Sequence, residues 1–230
     1  MPSQNLQTQP SAPKASKPYK GMAMEGIIAR WYTAIRQGDA ELDAVVRQVI
    51  DSLPAGGRVL EVAPGPGYLA IELARLGMYQ VAGLDISASF VQIARAKAKQ
   101  AGVAVEFHQG NAAQMPFGAG TFDFIVCRAA FKNFTEPVQA IREMHRVLKV
   151  GGTALIIDLR GDASPDDIRS AVKDMGLSAI NRLMTQAAFK YLLLKNAYTG
   201  AQIRQMVAQT AFAGCDIRED AIGMEIWLEK

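Results

Sequence analysis

The sequence predicts an α/β fold, a doubly wound sheet of seven strands, mostly parallel, with an antiparallel C-terminal strand and with N-terminal and late helical covers. Three observations carry this. Between residues 58 and 158, short β-branched runs alternate with helical patterns, which calls for right-handed crossovers and a sheet covered on both faces. A glycine-rich turn follows the first of these strands. Two strand-like runs end the chain across Gly223, and so tight a connection makes an antiparallel pair.

Taken in order, residues 1–18 hold four of the ten prolines together with Ser, Gln and Lys, a composition that cannot pack a core, so a flexible tail is expected. A single domain then spans 19–230. Its first part, 19–53, reads as a helical cover: Met24, Ile27, Ile28, Trp31, Tyr32 and Ile35 recur at helical spacing, as do Leu42, Val45, Val46, Val49, Ile50 and Leu53. Pro54, Gly56 and Gly57 break the chain. Strands follow at 58–62, 79–84, 103–108, 122–127 and 153–158, separated by helices at 68–76, from a Ser87 cap to about Ala101, and at 136–148. Helical patterns at 165–175, 180–195 and 201–210 precede the strands 216–219 and 224–228, and residues 161–200 read as a helical lid inserted before them.

The formal net charge is +3, and it resides in Lys14, Lys17 and Lys20, since residues 1–20 contain no acid and the remainder balances 22 basic against 22 acidic side chains. A neutral body argues against nucleic acid as a partner, because phosphate neutralisation supplies most of such binding. No apolar run has the length of a membrane span, and the N-terminus lacks the apolar block of a signal peptide, so a cytoplasmic protein is expected. Cys127 and Cys215 lie in apolar stretches and read as buried thiols. With only His108 and His145 beside them, both read as structural or surface residues, no metal site is expected.

The chemistry concentrates in residues 59–67, Val-Leu-Glu-Val-Ala-Pro-Gly-Pro-Gly, where a strand, an acid, a glycine turn and a helix start succeed one another. Gly65 and Gly67 let the backbone turn sharply and approach a ligand, and the helix that follows offers free amides. Asp85, ending the second strand, can accept from both hydroxyls of a ribose. Gly65, Gly67 and Ala70 also satisfy a dinucleotide fingerprint. Glu61 weighs against a dinucleotide, since a carboxylate there repels phosphate and welcomes an ammonium group. Asn111 to Phe117 after the third strand, Arg146 to Gly152 before the fifth, and the C-terminal pair complete the set.

With these motifs in this order the sequence resembles the Rossmann-like S-adenosylmethionine-dependent methyltransferases, and within them is similar to the ubiquinone and menaquinone C-methyltransferases. The resemblance covers roughly 53–160 and implies S-adenosyl-L-methionine as cofactor. It places Glu61, Ala63, Gly65 and Gly67 around the methionine moiety, Asp85 on the ribose and Ile86 against the adenine. Asn111 stands where relatives have aspartate beside the adenine amino group, Ala112 offers backbone contacts, and Cys127 and Arg128 end the fourth strand at the cofactor's edge. Ala63 replaces a usual glycine, which its methyl group tolerates if φ stays negative.

The implied reaction is in-line displacement onto a small, hydrophobic or aromatic acceptor. Substrate-facing candidates are Tyr19, Trp31, Tyr32, Arg128, Phe131, Lys132 and Tyr198. Related enzymes often carry histidine where Lys132 stands; a lysine there favours an anionic acceptor or points to water. No catalytic base is identifiable. The segment 180–195 is apolar around most of its circumference, which suits burial under another element, a substrate lid, a homodimer face or a lipid contact. Two alternatives stand beside the enzyme: a catalytically silent S-adenosylmethionine-binding module and a nicotinamide-dependent oxidoreductase.

Overall fold

The computed structural model describes residues 19–20, 25–35, 42–174, 185–186 and 194–230. The expected tail and the helical pattern at 180–195 therefore fall wholly or mostly outside the described residues. Helices α1 (Gly26–Ile35) and α2 (Leu42–Ser52) lead into β1 (Arg58–Val62), α3 (Tyr68–Arg75), β2 (Gln80–Asp85), α4 (Ala88–Ala101), β3 (Glu106–Gln109) and β4 (Phe122–Arg128). A 3-10 turn at Phe131–Asn133 precedes α5 (Pro137–Val147), β5 (Leu148–Leu159), α6 (Pro165–Asp174), α7 (Gly200–Val207), β6 (Gly214–Glu219) and β7 (Gly223–Glu229).

The strand order is β3-β2-β1-β4-β5-β7-β6. β1 to β5 pair in parallel, and β7 runs antiparallel between β5 and β6. Strand order reverses between β1 and β4, the place where an open α/β sheet leaves a crevice beyond its carboxyl ends. Central strands buried on both faces explain their nearly continuous apolar runs. On one face Leu60, Val62, Ile125, Cys127 and Ile156 pack with Ile141 and Met144 of α5. On the other, Val59, Phe124, Val126 and Leu155 pack with α3 and α4 through Leu69, Leu73, Val91 and Ala94.

Local chemistry sets the helix ends. The Ser87 hydroxyl accepts from Phe90 N at 3.1 Å and starts α4, while Gly102 at φ 70° ends it. Thr199 and Gln202 form a reciprocal capping box on α7. Among the strand starts, two differ most from the sequence expectation. β3 begins at Glu106 rather than Val103, because the Val103 amide still bonds Ala98 O at the end of α4. β5 begins at Leu148 rather than Thr153: Gly151, at φ 77°, bends the chain without ending it, and the pairing with β4 shifts register between Phe122 and Phe124.

Candidate active site

Two carboxylates on neighbouring strands organise the turn after β1. Glu61 points to the α3 side of the sheet, where its Oε2 accepts from Ala70 N at 2.9 Å in the first turn of α3. It is 4% exposed. Burial pushes its carboxyl up to about 7; the Ala70 amide and the Arg128 charge oppose that rise, and the nearby Asp85 adds to it. Asp85 ends β2 on the same face. Its Oδ2 accepts from Gly65 N at 2.9 Å and its Oδ1 from Ser87 N at 2.8 Å. Burial raises its carboxyl too, against the pull of those amides. A carboxylate offers about four lone-pair sites, so Asp85 keeps capacity for a ribose diol after these two bonds.

The two glycines do different work. At Gly65, φ 54°, an added β-carbon would meet nothing within 4 Å, so this side of the turn faces open space. At Gly67, φ 80°, it would lie 2.8 Å from Phe107 and 2.9 Å from Ala94. Close approach at Gly67 is therefore to the protein's own packing of α3 on α4 and β3, not to a ligand. Ala63 corrects another expectation, for its φ is 57°, in the left-handed region. Its N–H bonds Leu84 O at 2.8 Å, which holds the backbone there despite the β-carbon.

Asn111 closes its own turn: its Oδ1 accepts from Ala113 N at 2.9 Å, leaving one lone pair for an adenine amino group. Ala112 packs against the core, and half-buried Ile86 follows Asp85 beside them. Cys127 ends up differently from the expected edge position. Its side chain is fully buried in the α5-side core, and burial pushes the thiol far up, so only its backbone reaches the edge. Arg128 is half-buried on the Glu61 face, close enough for its charge to act on that carboxyl.

Several of the expected substrate-facing residues lie on or against the β4–α5 loop. Ala129 takes φ 56° and turns the chain, its N–H bonded to Ile157 O at 2.8 Å. Phe131, expected to face substrate, is 1% exposed and packs on Phe134 with ring centroids 5.5 Å apart. Lys132 is also corrected. Its Nζ lies 2.6 Å from Asp158 Oδ1 in a buried ion pair, and its backbone N–H donates to Asp158 Oδ2 at 2.9 Å, so it is neither solvated nor a free cation for an anionic acceptor. Its partner lies 26 residues away and meets it because β4 and β5 are parallel neighbours.

Tyr19 bridges to Phe134 in antiparallel fashion, and its hydroxyl accepts from Asn133 Nδ2 at 3.0 Å. The Tyr198 ring tilts over Phe131 at 6.0 Å, and its hydroxyl accepts from Lys20 Nζ at 2.7 Å. Tyr19, Phe131, Lys132 and Tyr198 thus do converge on one loop. α1 is tied to the starts of α3 and α4: Ser89 N donates to the Glu25 carboxylate at 3.0 Å, Gly26 N to Ser89 Oγ at 2.9 Å, and the Tyr68 hydroxyl to Thr33 O at 2.9 Å. Hydrogen bonds from Ser89 hold the Glu25 carboxyl below its ordinary value at the N-terminus of α4. Trp31 and Tyr32 lie on α1, with side chains outside the described ones. Sequence reasoning missed Lys20, Glu25 and Asp158; each acts through a tertiary neighbour that leaves no local spacing signal.

Among the described residues no group of three His, Cys, Asp or Glu could hold a metal ion, and no helix is long and apolar enough to cross a membrane. Residues 60–156 match the family described as a methyltransferase domain. The chain is 39% identical over 101 residues to a demethylmenaquinone methyltransferase of Chlorobaculum parvum, a match covering 44% of this chain and 40% of that protein. It is 32% identical over 179 residues to a ubiquinone/menaquinone biosynthesis C-methyltransferase of Marinomonas sp., covering 74% of this chain and 67% of that one. The chain thus spans less than half the length of the first relative and about two thirds of the second. A crystal structure of a putative S-adenosyl-L-methionine-dependent methyltransferase from Methanococcus maripaludis superposes with a TM-score of 0.69 at 21% identity, over 88% of this chain and 92% of that one.

Proposed function

The chain belongs to the Rossmann-like S-adenosylmethionine-dependent methyltransferases, and we propose that it transfers a methyl group by in-line displacement to a small, hydrophobic or aromatic acceptor. The observation that carries the reading is the pair of buried carboxylates, Glu61 and Asp85, hydrogen-bonded to the amides on either side of one open turn. The donor set fits the cofactor. Glu61 is a carboxylate whose ionisation is resisted by burial, so a cationic ammonium beside it restores a charge balance the site otherwise lacks. Gly65 presents open space where a methionine moiety would pass, and Asp85 retains lone pairs for two hydroxyls.

When bound, the cofactor supplies an electrophilic methyl group on a sulfonium, so the chain's work is orientation and exclusion of water. Ile86 offers an apolar surface to the adenine and Asn111 one remaining acceptor site. α1, fixed to the starts of α3 and α4 by Thr33 and Glu25, closes the cofactor side against solvent. Tyr19, Arg128 and Tyr198 border the acceptor side. Phe131 forms the floor beneath Tyr198, and the Lys132–Asp158 pair pins the loop that carries them. An apolar floor with phenolic rims favours an aromatic acceptor, in keeping with the quinone-pathway names of the relatives.

Calorimetry with S-adenosylmethionine, its demethylated product and both nicotinamide cofactors tests the reading, followed by transfer of a labelled methyl group to a panel of phenols and quinols. Binding of the first two with label transfer is expected. Tight binding of a nicotinamide alone would overturn the cofactor assignment, and cofactor binding without transfer to any acceptor would leave a silent binding module.

A further inference from the structure

We propose that Lys20 is a positioning residue that acts through Tyr198, fixing its hydroxyl as a one-way hydrogen-bond donor toward the acceptor and so selecting an acceptor that carries an oxygen lone pair. The argument starts from valence. An ammonium group has three donors and no lone pair, so in the 2.7 Å contact the Tyr198 oxygen must accept and Lys20 must donate. The single phenolic hydrogen is then turned away from Lys20, and no protein acceptor takes it among the described residues. A phenol in solution alternates between donating and accepting; this one already accepts from Lys20, which leaves its hydrogen to be donated elsewhere.

Each residue is tied down through its backbone. Tyr198 is bridged to Arg160 at the end of β5, its carbonyl accepts from Gly161 N at 2.9 Å, and its ring lies on Phe131. Lys20 is held by its backbone N–H donating to Asn133 O at 2.7 Å, and its Nζ sits 5.2 Å from the Tyr198 ring centroid. The two residues stand 178 positions apart in the chain and meet beyond the carboxyl ends of β4 and β5. An exposed contact of this kind adds little to stability. Its consequence is directional: the donor is aimed before the acceptor arrives, which lowers the ordering cost of binding.

The inference rests on the methyltransferase reading, and the experiment separates the two. The full chain is first titrated with S-adenosylhomocysteine by calorimetry; failure to bind would count against the cofactor assignment, and the ratio below is then read without it. 4-Methylphenol and toluene, a pair differing by one oxygen and carrying no other lone pair, are titrated in parallel into the complex. The wild type is expected to prefer 4-methylphenol by about tenfold, the worth of one well-aimed hydrogen bond. Lys20→Met and Tyr198→Phe should each cut that preference to about twofold or less, with S-adenosylhomocysteine affinity unchanged, and Lys20→Arg should retain it. A wild type without preference, or a Lys20→Met variant that keeps the wild-type ratio, would overturn the proposal.

Discussion

Replacing Glu61 by Gln removes a titrating group from the cofactor turn while keeping its shape, and the consequences for stability and for binding have opposite signs. In the ligand-free protein the Glu61 carboxyl is held at about 7 against an ordinary 4.5. An acid with a raised folded-state value stabilises the fold in its protonated form. That stability is complete below the ordinary value and is lost as pH rises through the folded one. At about 1.4 kcal/mol per pH unit over the window between the two values, the wild type should lose about 2–3 kcal/mol relative to Glu61→Gln between about pH 5 and pH 8. Asp85 is common to both proteins, so its own titration cancels apart from its minor charge coupling to Glu61. Denaturant unfolding of the pair at the two pH values reads this difference directly. Cofactor affinity should behave in reverse: the wild type takes up S-adenosylmethionine with release of close to one proton near pH 6, and its affinity rises toward pH 7, whereas the variant binds weakly with no such dependence. Calorimetry in buffers of different ionisation enthalpy counts the proton. Parallel stability curves for the two proteins, or equal proton release, would refute the assignment of Glu61 to the ammonium.

Three further outcomes follow from the same geometry. Ala63→Gly should stabilise the fold by about 1 kcal/mol, because φ 57° costs an alanine what a glycine does not pay; unchanged or lower stability in denaturant unfolding would mean that the turn relaxes around the methyl group. Lys132→Met leaves Asp158 buried without its cation and should cost about 3–5 kcal/mol, much of it recovered when Asp158→Asn is added; additive losses in that double-variant cycle would deny the pairing. Asp85→Ala should weaken S-adenosylmethionine by about 1–3 kcal/mol through loss of a charged acceptor for the ribose hydroxyls, and equal affinity by calorimetry would put the cofactor elsewhere.

What the sequence made legible, and what it hid, divides along the range of the interactions. Glu61, Gly65 and Asp85 could be read because strand, turn and helix are consecutive, so a spacing along the chain is also a spacing in space. The Ser87 cap was visible for the same reason, its hydroxyl and the Phe90 amide being three residues apart. Gly67 was read as a point of close approach to a ligand, and the neighbour it meets is instead Phe107, brought there by the pairing of β2 and β3. Lys132 shows the limit most sharply. Its charge suggested water or an anionic acceptor, and only the parallel register of β4 and β5, with Arg128 opposite Ile157, brings Asp158 beneath it. The strained φ of Ala63 and Ala129 belongs to the same class. Both residues follow a strand at the point where the sheet changes direction, and each N–H is tied to a carbonyl of the neighbouring strand, Leu84 or Ile157. Local preference would place neither alanine there; the sheet imposes the conformation. The proposed acceptor side therefore depends on contacts between distant segments far more than the Glu61–Asp85 turn does, which is why cofactor chemistry could be read from motifs and the Lys20–Tyr198 contact could not.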